Sequence, residues 1–192
     1  MKNLILGSSS PFRRELLDRL GLKYRCISPD IDERPHADEN AEALVRRLAL
    51  EKAQAVARQT QDALIIASDQ VAVLDGDIIG KPLSHDNAVK QLQRASGREV
   101  VFLTGLCLLD SASGRHQLEV APFRVHFRKL SEGMIERYLR REQPYQCAGS
   151  FMSEGLGIAL FERLEGDDPN SLIGLPLIRL IRMLEKEGIE VL

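Results

Sequence analysis

Residues Ala63-Leu64-Ile65-Ile66-Ala67-Ser68 form a nearly continuous apolar run that ends abruptly at Asp69-Gln70. A strand with one wet face alternates apolar and polar residues, because successive side chains point to opposite sides. A run without that alternation must be covered on both faces, as in the centre of a sheet flanked by helices. The segment therefore predicts a central strand and requires helices elsewhere in the chain to cover it.

The helices are readable from their period. Ala41, Leu44, Val45, Leu48, Ala49, Ala53, Val56 and Ala57 recur at helical spacing behind Asn40, a suitable cap. Ser10 with Pro11 opens an earlier helix that uses Leu16, Leu17 and Leu20 and ends at Gly21. Ser84 opens another, with Ala88, Val89, Leu92 and Ala95 inward and Gly97 closing it. Ser131 starts one that runs to about Arg141, and the last begins near Pro176 and uses Leu177, Leu180, Ile181 and Leu184. Strands are expected at Asn3 to Gly7, Lys23 to Ser28 and Val100 to Leu109. Val71 to Leu74 and Ile78-Ile79 flank Asp75-Gly76, a hairpin signal. Further on, Phe123, Val125 and Phe127 alternate with Arg124, His126 and Arg128. A Gly-rich loop from Gly149 to Gly157 leads into Ile158 to Phe161.

Strands and helices interleave, but several strand pairs read as antiparallel. The expected fold class is α/β, with a mixed, curved sheet and flanking helices. At 192 residues, 44% of them apolar, the chain can bury a sizeable core. No repeat or convincing linker is visible, so a single domain over residues 1–192 is expected. The net charge of −2 and 5% aromatic content argue against a nucleic-acid partner. No apolar run approaches the ~20 residues that span a bilayer, and no signal-peptide stretch is expected at the N-terminus. Cys26, Cys107 and Cys147 are odd in number and show no metal-type pairing. A cytoplasmic protein with reduced thiols, acting without nucleic acid or membrane, is the expectation.

Several segments carry chemistry. Ser8-Ser9-Ser10-Pro11-Phe12-Arg13-Arg14 joins a strand to a helix N-terminus, where backbone N–H groups, hydroxyls and two guanidiniums can meet a polyphosphate. The same residues also suit a well-capped surface helix with solvated arginines. It is no Walker-type loop, since the Gly-Lys-Ser/Thr ending is missing. Lys52 lies on the apolar stripe of its helix, so its ammonium either snorkels to the rim or points at something anionic. Glu51 is one step off that stripe and expected in solvent. Asp69, read as following the buried strand, stands where α/β sheets gather ligands. It can bind a divalent metal or activate water, or simply start a turn.

In Gly80-Lys81-Pro82 a lysine sits on a short rigid stalk, or in an ordinary turn. Asp30-Ile31-Asp32-Glu33 brings three carboxylates into one loop, either solvated or joining Asp69 around Mg²⁺. Cys147 to Gly155 is a small-residue loop in which Glu154 can read a base edge or the whole can be a tight turn. Asp167 to Ser171 reads as a turn, with Gly174 to Pro176 shaping the entry to the last helix. His36, His85, His116 and His126 show no metal spacing, and no Ser–His–Asp arrangement stands out.

In this order the segments resemble the Maf family of nucleoside triphosphate pyrophosphatases. The resemblance runs through Ser8 to Arg14, Asp32-Glu33, Glu51-Lys52-Ala53, Ser68-Asp69-Gln70, Gly80-Lys81-Pro82 and Thr104-Gly105. It continues through Ala148-Gly149-Ser150-Phe151 with Glu154-Gly155, and Asn170 with Gly174-Leu175-Pro176. It implies an inosine-triphosphatase-like fold with two lobes around a cleft, and metal-dependent hydrolysis of a nucleoside triphosphate to monophosphate and pyrophosphate. By position, Asp69 is the implied general base, with Glu33 and Asp69 holding Mg²⁺ or Mn²⁺. Lys52 and Lys81 neutralise triphosphate charge, and Ser8, Ser10, Arg13 and Arg14 bind its phosphates. Phe12, Gln70 and Glu154 match the branch that hydrolyses 7-methyl-GTP, whereas the pyrimidine-triphosphate branch tends to carry Arg, Thr and Gln there. The cationic 7-methylguanine suits an aromatic face by roughly 0.5–2 kcal/mol, and a carboxylate can accept from its N1–H and amine. The resemblance leaves a homodimer open. The competing readings are a dTTP/UTP-type pyrophosphatase and a nucleotide-binding regulator of cell division without essential catalysis.

Overall fold

The structure, a computed structural model, describes residues 2–192. Its elements in chain order are β1 (Asn3–Leu6), α1 (Pro11–Asp18), β2 (Arg25–Cys26), α2 (Ala41–Ala57), β3 (Ala63–Leu74), β4 (Asp77–Ile79), α3 (His85–Ala95), β5 (Glu99–Asp110), β6 (His116–Phe127), α4 (Glu132–Glu142), β7 (Phe161–Glu165), α5 (Pro169–Ile173) and α6 (Leu177–Lys186), with short 3₁₀ turns at Ala148–Ser150 and Leu156–Leu160. The strands hydrogen-bond in the order β2-β1-β3-β5-β6-β7, with β4 added to β3. β1 runs parallel to β2 and β3, while β3–β4 and β6–β7 are antiparallel. The sheet is mixed, as expected from the interleaved pattern.

The chain divides into two compact units. The first holds the residues up to Gln70, Thr104–Ala121 and Asp168–Leu192. Here the apolar run of β3 is explained by parity. Leu64 and Ile66 face one core with Leu16 and Leu17 of α1 and Leu180, Met183 and Leu184 of α6. Ile65 and Ala67 face a second core with Ala49, Ala53 and Val56 of α2. Both sides are covered, so neither can be polar. Helix α2 lies so close to β5 that a Cβ on Gly105 would come within 2.2 Å of the Val45 carbonyl oxygen. That position therefore requires glycine.

The second unit holds Val71–Leu103 and Pro122–Asp167. Phe123, Val125 and Phe127 are buried, as their alternation predicts. Phe151 is the centre of its aromatic core, meeting Phe102, Phe127 and Phe161 edge-on at centroid distances of 5.3, 5.6 and 4.8 Å. Such pairs prefer edge-to-face geometry because of the ring quadrupole.

Four sequence expectations are corrected. β3 does not stop at Ser68 but continues to Leu74, so Asp69 is inside a strand and starts no turn. The second strand is cut to Arg25–Cys26. Of residues 167–171, read as a turn, Pro169 to Ser171 form the start of α5, with Asp168 as its N-cap and Pro169 in its first turn. In α6, Met183 is buried and Ile181 only half-buried.

Candidate active site

The parity that builds the core also builds the site. Asp69 continues the series Ile65, Ala67 onto the face of β3 covered by α2, and Lys52 lies on the stripe of α2 that faces it. Lys52 is 5% exposed and Asp69 7%, too buried for a snorkelling lysine. Lys52 Nζ donates to Asp69 Oδ1 at 2.6 Å and lies 2.9 Å from Glu33 Oε1. An ammonium thus sits between two carboxylates delivered by separate segments. Charges removed from water in this way persist only if paired at short range.

Ser68 and Gln70 point the other way, toward α5. Ser68 Oγ donates to the Gly174 carbonyl at 2.8 Å, and Arg13 Nε donates to the same oxygen at 3.0 Å. Gly174 has φ +125°, and a Cβ there would crowd Arg13 Nε at 3.2 Å. The arginine is thereby fixed through one nitrogen. Burial pulls its pKa below the ordinary value, while the charges of Asp69 and Glu33 raise it. Gln70 Nε2 donates to Thr104 Oγ1 at 2.9 Å and to the Ser171 and Leu172 carbonyls at 2.7 and 3.1 Å. Thr104 Oγ1 also donates to the Ser171 carbonyl at 2.9 Å. The Gln70 amide therefore braces α5.

At the start of α1, Ser10 caps the helix through the Arg13 N–H at 3.4 Å, and buried Ser8 accepts from the Ser10 N–H at 3.1 Å. Phe12 is half-buried. Arg14 is exposed, and its backbone carbonyl accepts from the Tyr24 hydroxyl at 3.2 Å. The structure thus gathers Arg13, Glu33, Lys52 and Asp69, with Ser8 and Ser10 shaping the adjoining turn.

Lys81 and Glu154 belong to the second unit, and both are exposed. The Lys81 stalk is tied down by three hydrogen bonds. The Gly80 carbonyl accepts from Gln91 Nε2 at 3.2 Å, the Pro82 carbonyl from Asn87 Nδ2 at 3.0 Å, and the Leu83 N–H donates to the Tyr145 carbonyl at 3.0 Å. Glu154 accepts from the Ser153 hydroxyl at 3.3 Å. Burial, then the charge of Glu154, pushes the Cys147 thiol up to about 11, against the opposing pull of Lys81.

Among the described residues no group of three or more His, Cys, Asp and Glu could hold a metal ion. Glu33 and Asp69 nevertheless converge on one cation, and two carboxylates completed by waters and substrate phosphates are what Mg²⁺ accepts. The residues fit a hard divalent ion of that kind. Asp32 turns away and forms a close ion pair with Arg34. Glu51, expected in solvent, pairs with Arg47 at 3.0 Å, and Arg47 with Glu39 at 2.7 Å. The sequence reading missed Arg47, although its spacing to Glu51 is the usual helical ion-pair spacing.

The family model described as Maf-like protein matches residues 3–187. The chain belongs to the Maf family. A protein of Pseudomonas savastanoi pv. phaseolicola named 7-methyl-GTP pyrophosphatase is 60% identical over 191 residues, covering 100% of both chains. One of the same name from Pseudomonas aeruginosa is 58% identical, again over 100% of both. Among solved structures, the Staphylococcus aureus Ham1 protein matches 66% of this chain and 72% of its own, at 16% identity and a TM-score of 0.47. Within this Maf chain, no helix among the described residues is long and apolar enough to cross a membrane.

Proposed function

We propose that this Maf chain is a nucleoside triphosphate pyrophosphatase that converts 7-methyl-GTP to 7-methyl-GMP and pyrophosphate, removing a modified nucleotide from the cytoplasmic pool. The observation that carries the reading is the buried Lys52–Asp69 pair with Glu33 and Arg13 around it. Full-length relatives of that name support the choice of substrate.

Asp69 acts as general base. Lys52 engages one of its carboxylate oxygens, and the other takes a proton from the water that attacks the α-phosphorus. The bond from the α-phosphorus to the bridging oxygen breaks, and pyrophosphate leaves with the electron pair. Lys52 and Arg13 supply positive charge in a site with little water, where it stabilises a developing anion most. Ser8, Ser10 and Arg14, at the N-terminus of α1, serve the phosphates, and Lys81 serves the triphosphate by its place in the Gly-Lys-Pro stalk. Glu33 and Asp69 are the residues that would hold Mg²⁺ or Mn²⁺, which when bound adds charge neutralisation. Phe12 and Glu154 are assigned to the base, and Gln70 contributes by bracing α5.

The test is pyrophosphate release with Mg²⁺ or Mn²⁺ from 7-methyl-GTP, GTP, dTTP, UTP and ITP in parallel. Preference for 7-methyl-GTP is expected. Preference for dTTP or UTP would keep the chemistry and overturn the substrate. Nucleotide binding with no release from any of them would transfer the reading to a regulator.

A further inference from the structure

The segment Asp30–Glu39 contains no strand and no helix, yet it delivers Glu33 to the buried ammonium of Lys52. An irregular segment has no ladder to fix its course, so something else must hold it. Arg47 of α2 lies beneath it. Its Nε and Nη2 donate to the two carboxylate oxygens of Glu39 at 2.7 and 2.8 Å, a bidentate fork. Nη2 also donates to the Arg34 carbonyl at 3.1 Å, one peptide from Glu33, and Nη1 donates to Glu51 Oε2 at 3.0 Å. Glu39 Oε2 accepts in addition from the His36 N–H at 3.0 Å. The two side chains are only 17% and 9% exposed, unlike a solvated surface pair.

We infer that Arg47 is a positioning residue: by clamping Glu39 and the Arg34 carbonyl, it fixes the course of Asp30–Glu39 so that Glu33 stands beside Lys52 and Asp69. Helical geometry makes this workable. Positions 47 and 52 are rotated by about 140° around the helix axis, so the clamp grips the segment at the flank while Lys52 points inward. A lysine could not replace the arginine, because the fork needs a planar group with several fixed donors. Glu51 sets the guanidinium from the helix side, which gives that carboxylate a role in orientation.

The inference rests on the reading of Glu33 as a carboxylate that holds the divalent cation. Three measurements on the full chain test it: Mn²⁺ binding to nucleotide-free protein by the resonance signal of free Mn²⁺, the metal half-saturation and kcat of pyrophosphate release, and the thermal midpoint. Partners that orient a metal ligand typically contribute 10–100-fold to affinity. Arg47→Gln and Glu39→Gln should each weaken Mn²⁺ binding about tenfold and raise the half-saturation in parallel, with kcat at saturating metal within about twofold. The double variant should be no weaker than Arg47→Gln, since both changes remove the same clamp. Asp110→Asn, which breaks the pair with Lys2 at the far end of β5, controls for general destabilisation and should leave Mn²⁺ binding unchanged. Glu33→Gln tests the underlying reading. Loss of Mn²⁺ binding in Glu33→Gln, with wild-type binding in Arg47→Gln and Glu39→Gln, would overturn the positioning role alone. Wild-type binding in Glu33→Gln would overturn the reading of Glu33 and the inference with it.

Discussion

A lysine on the apolar stripe of a helix and an aspartate after an apolar run are ambiguous taken singly. Together they gain meaning through parity. Residues 65, 67 and 69 share a face of β3, and Ala49, Lys52 and Val56 share a face of α2, so the strand and helix bring one charge of each sign together. That much was latent in the sequence once the apolar run was taken for a central strand, even though its end was misplaced. Arg47 was less accessible. Its pairing with Glu51 follows helical spacing, but its pairing with Glu39 crosses an irregular segment whose path no periodicity encodes. Asp69→Asn removes the proposed base while keeping shape, and a fall in kcat of more than about a hundredfold is expected. Circular dichroism must show an intact fold, because the change also leaves Lys52 without its closest partner. An Asn variant as active as the parent would take Asp69 out of the role.

Helix α2 carries the site, and its placement depends on what lies under it. Gly105 of β5 lets the backbone at Val45 approach within a distance no side chain allows. Gly105→Ala should overpack this contact and cost about 2–3 kcal/mol, lowering the thermal midpoint by roughly 5–10 °C. A midpoint unchanged within error would mean that α2 can move away freely. Helix α5 shows the opposite lesson about reading elements. Asp168-Pro169 is a helix-opening pair, yet α5 has only five residues, so turn and helix signals coincide. The Asp168 carboxylate in fact serves two helices, accepting from the Asn170 N–H of α5 and the Ile178 N–H of α6, each at 2.8 Å. Only tertiary structure could reveal the second cap.

For the whole molecule, the mixed sheet was legible because central, alternating and hairpin strands leave different patterns. The division into two units was implied only by the family resemblance, not by composition or patterning. β3, β5 and β6 each contribute residues to both units, so the boundary falls inside strands and produces neither a linker nor a change in composition. Charge shows a comparable long-range order. Arg47 holds the Glu39 carboxyl down to about 2, and Lys2 with the Ser113 hydroxyl holds Asp110 down to about 2. Both lie below their unfolded values near 4, so the unfolded chain binds more protons in between. Their contribution is present above about pH 4 and is lost as pH falls through about 2. Thermal melts should therefore show a midpoint falling between these limits, with a shallower fall in a Glu39→Gln, Asp110→Asn double variant. Equal slopes would refute the assignment.

The ammonium between Glu33 and Asp69 acts as a counter-ion on a tether. Ions drawn from solution come and go with its composition, whereas this one is covalently attached and arrives whenever the chain folds. The two acids can therefore be brought together during folding without waiting for a dissolved cation. The arrangement also sets a condition on loading. A divalent ion held by Glu33 and Asp69 would have to share them with an ammonium already in place, so the charge balance of the pair starts from two acids and one cation rather than from two bare acids.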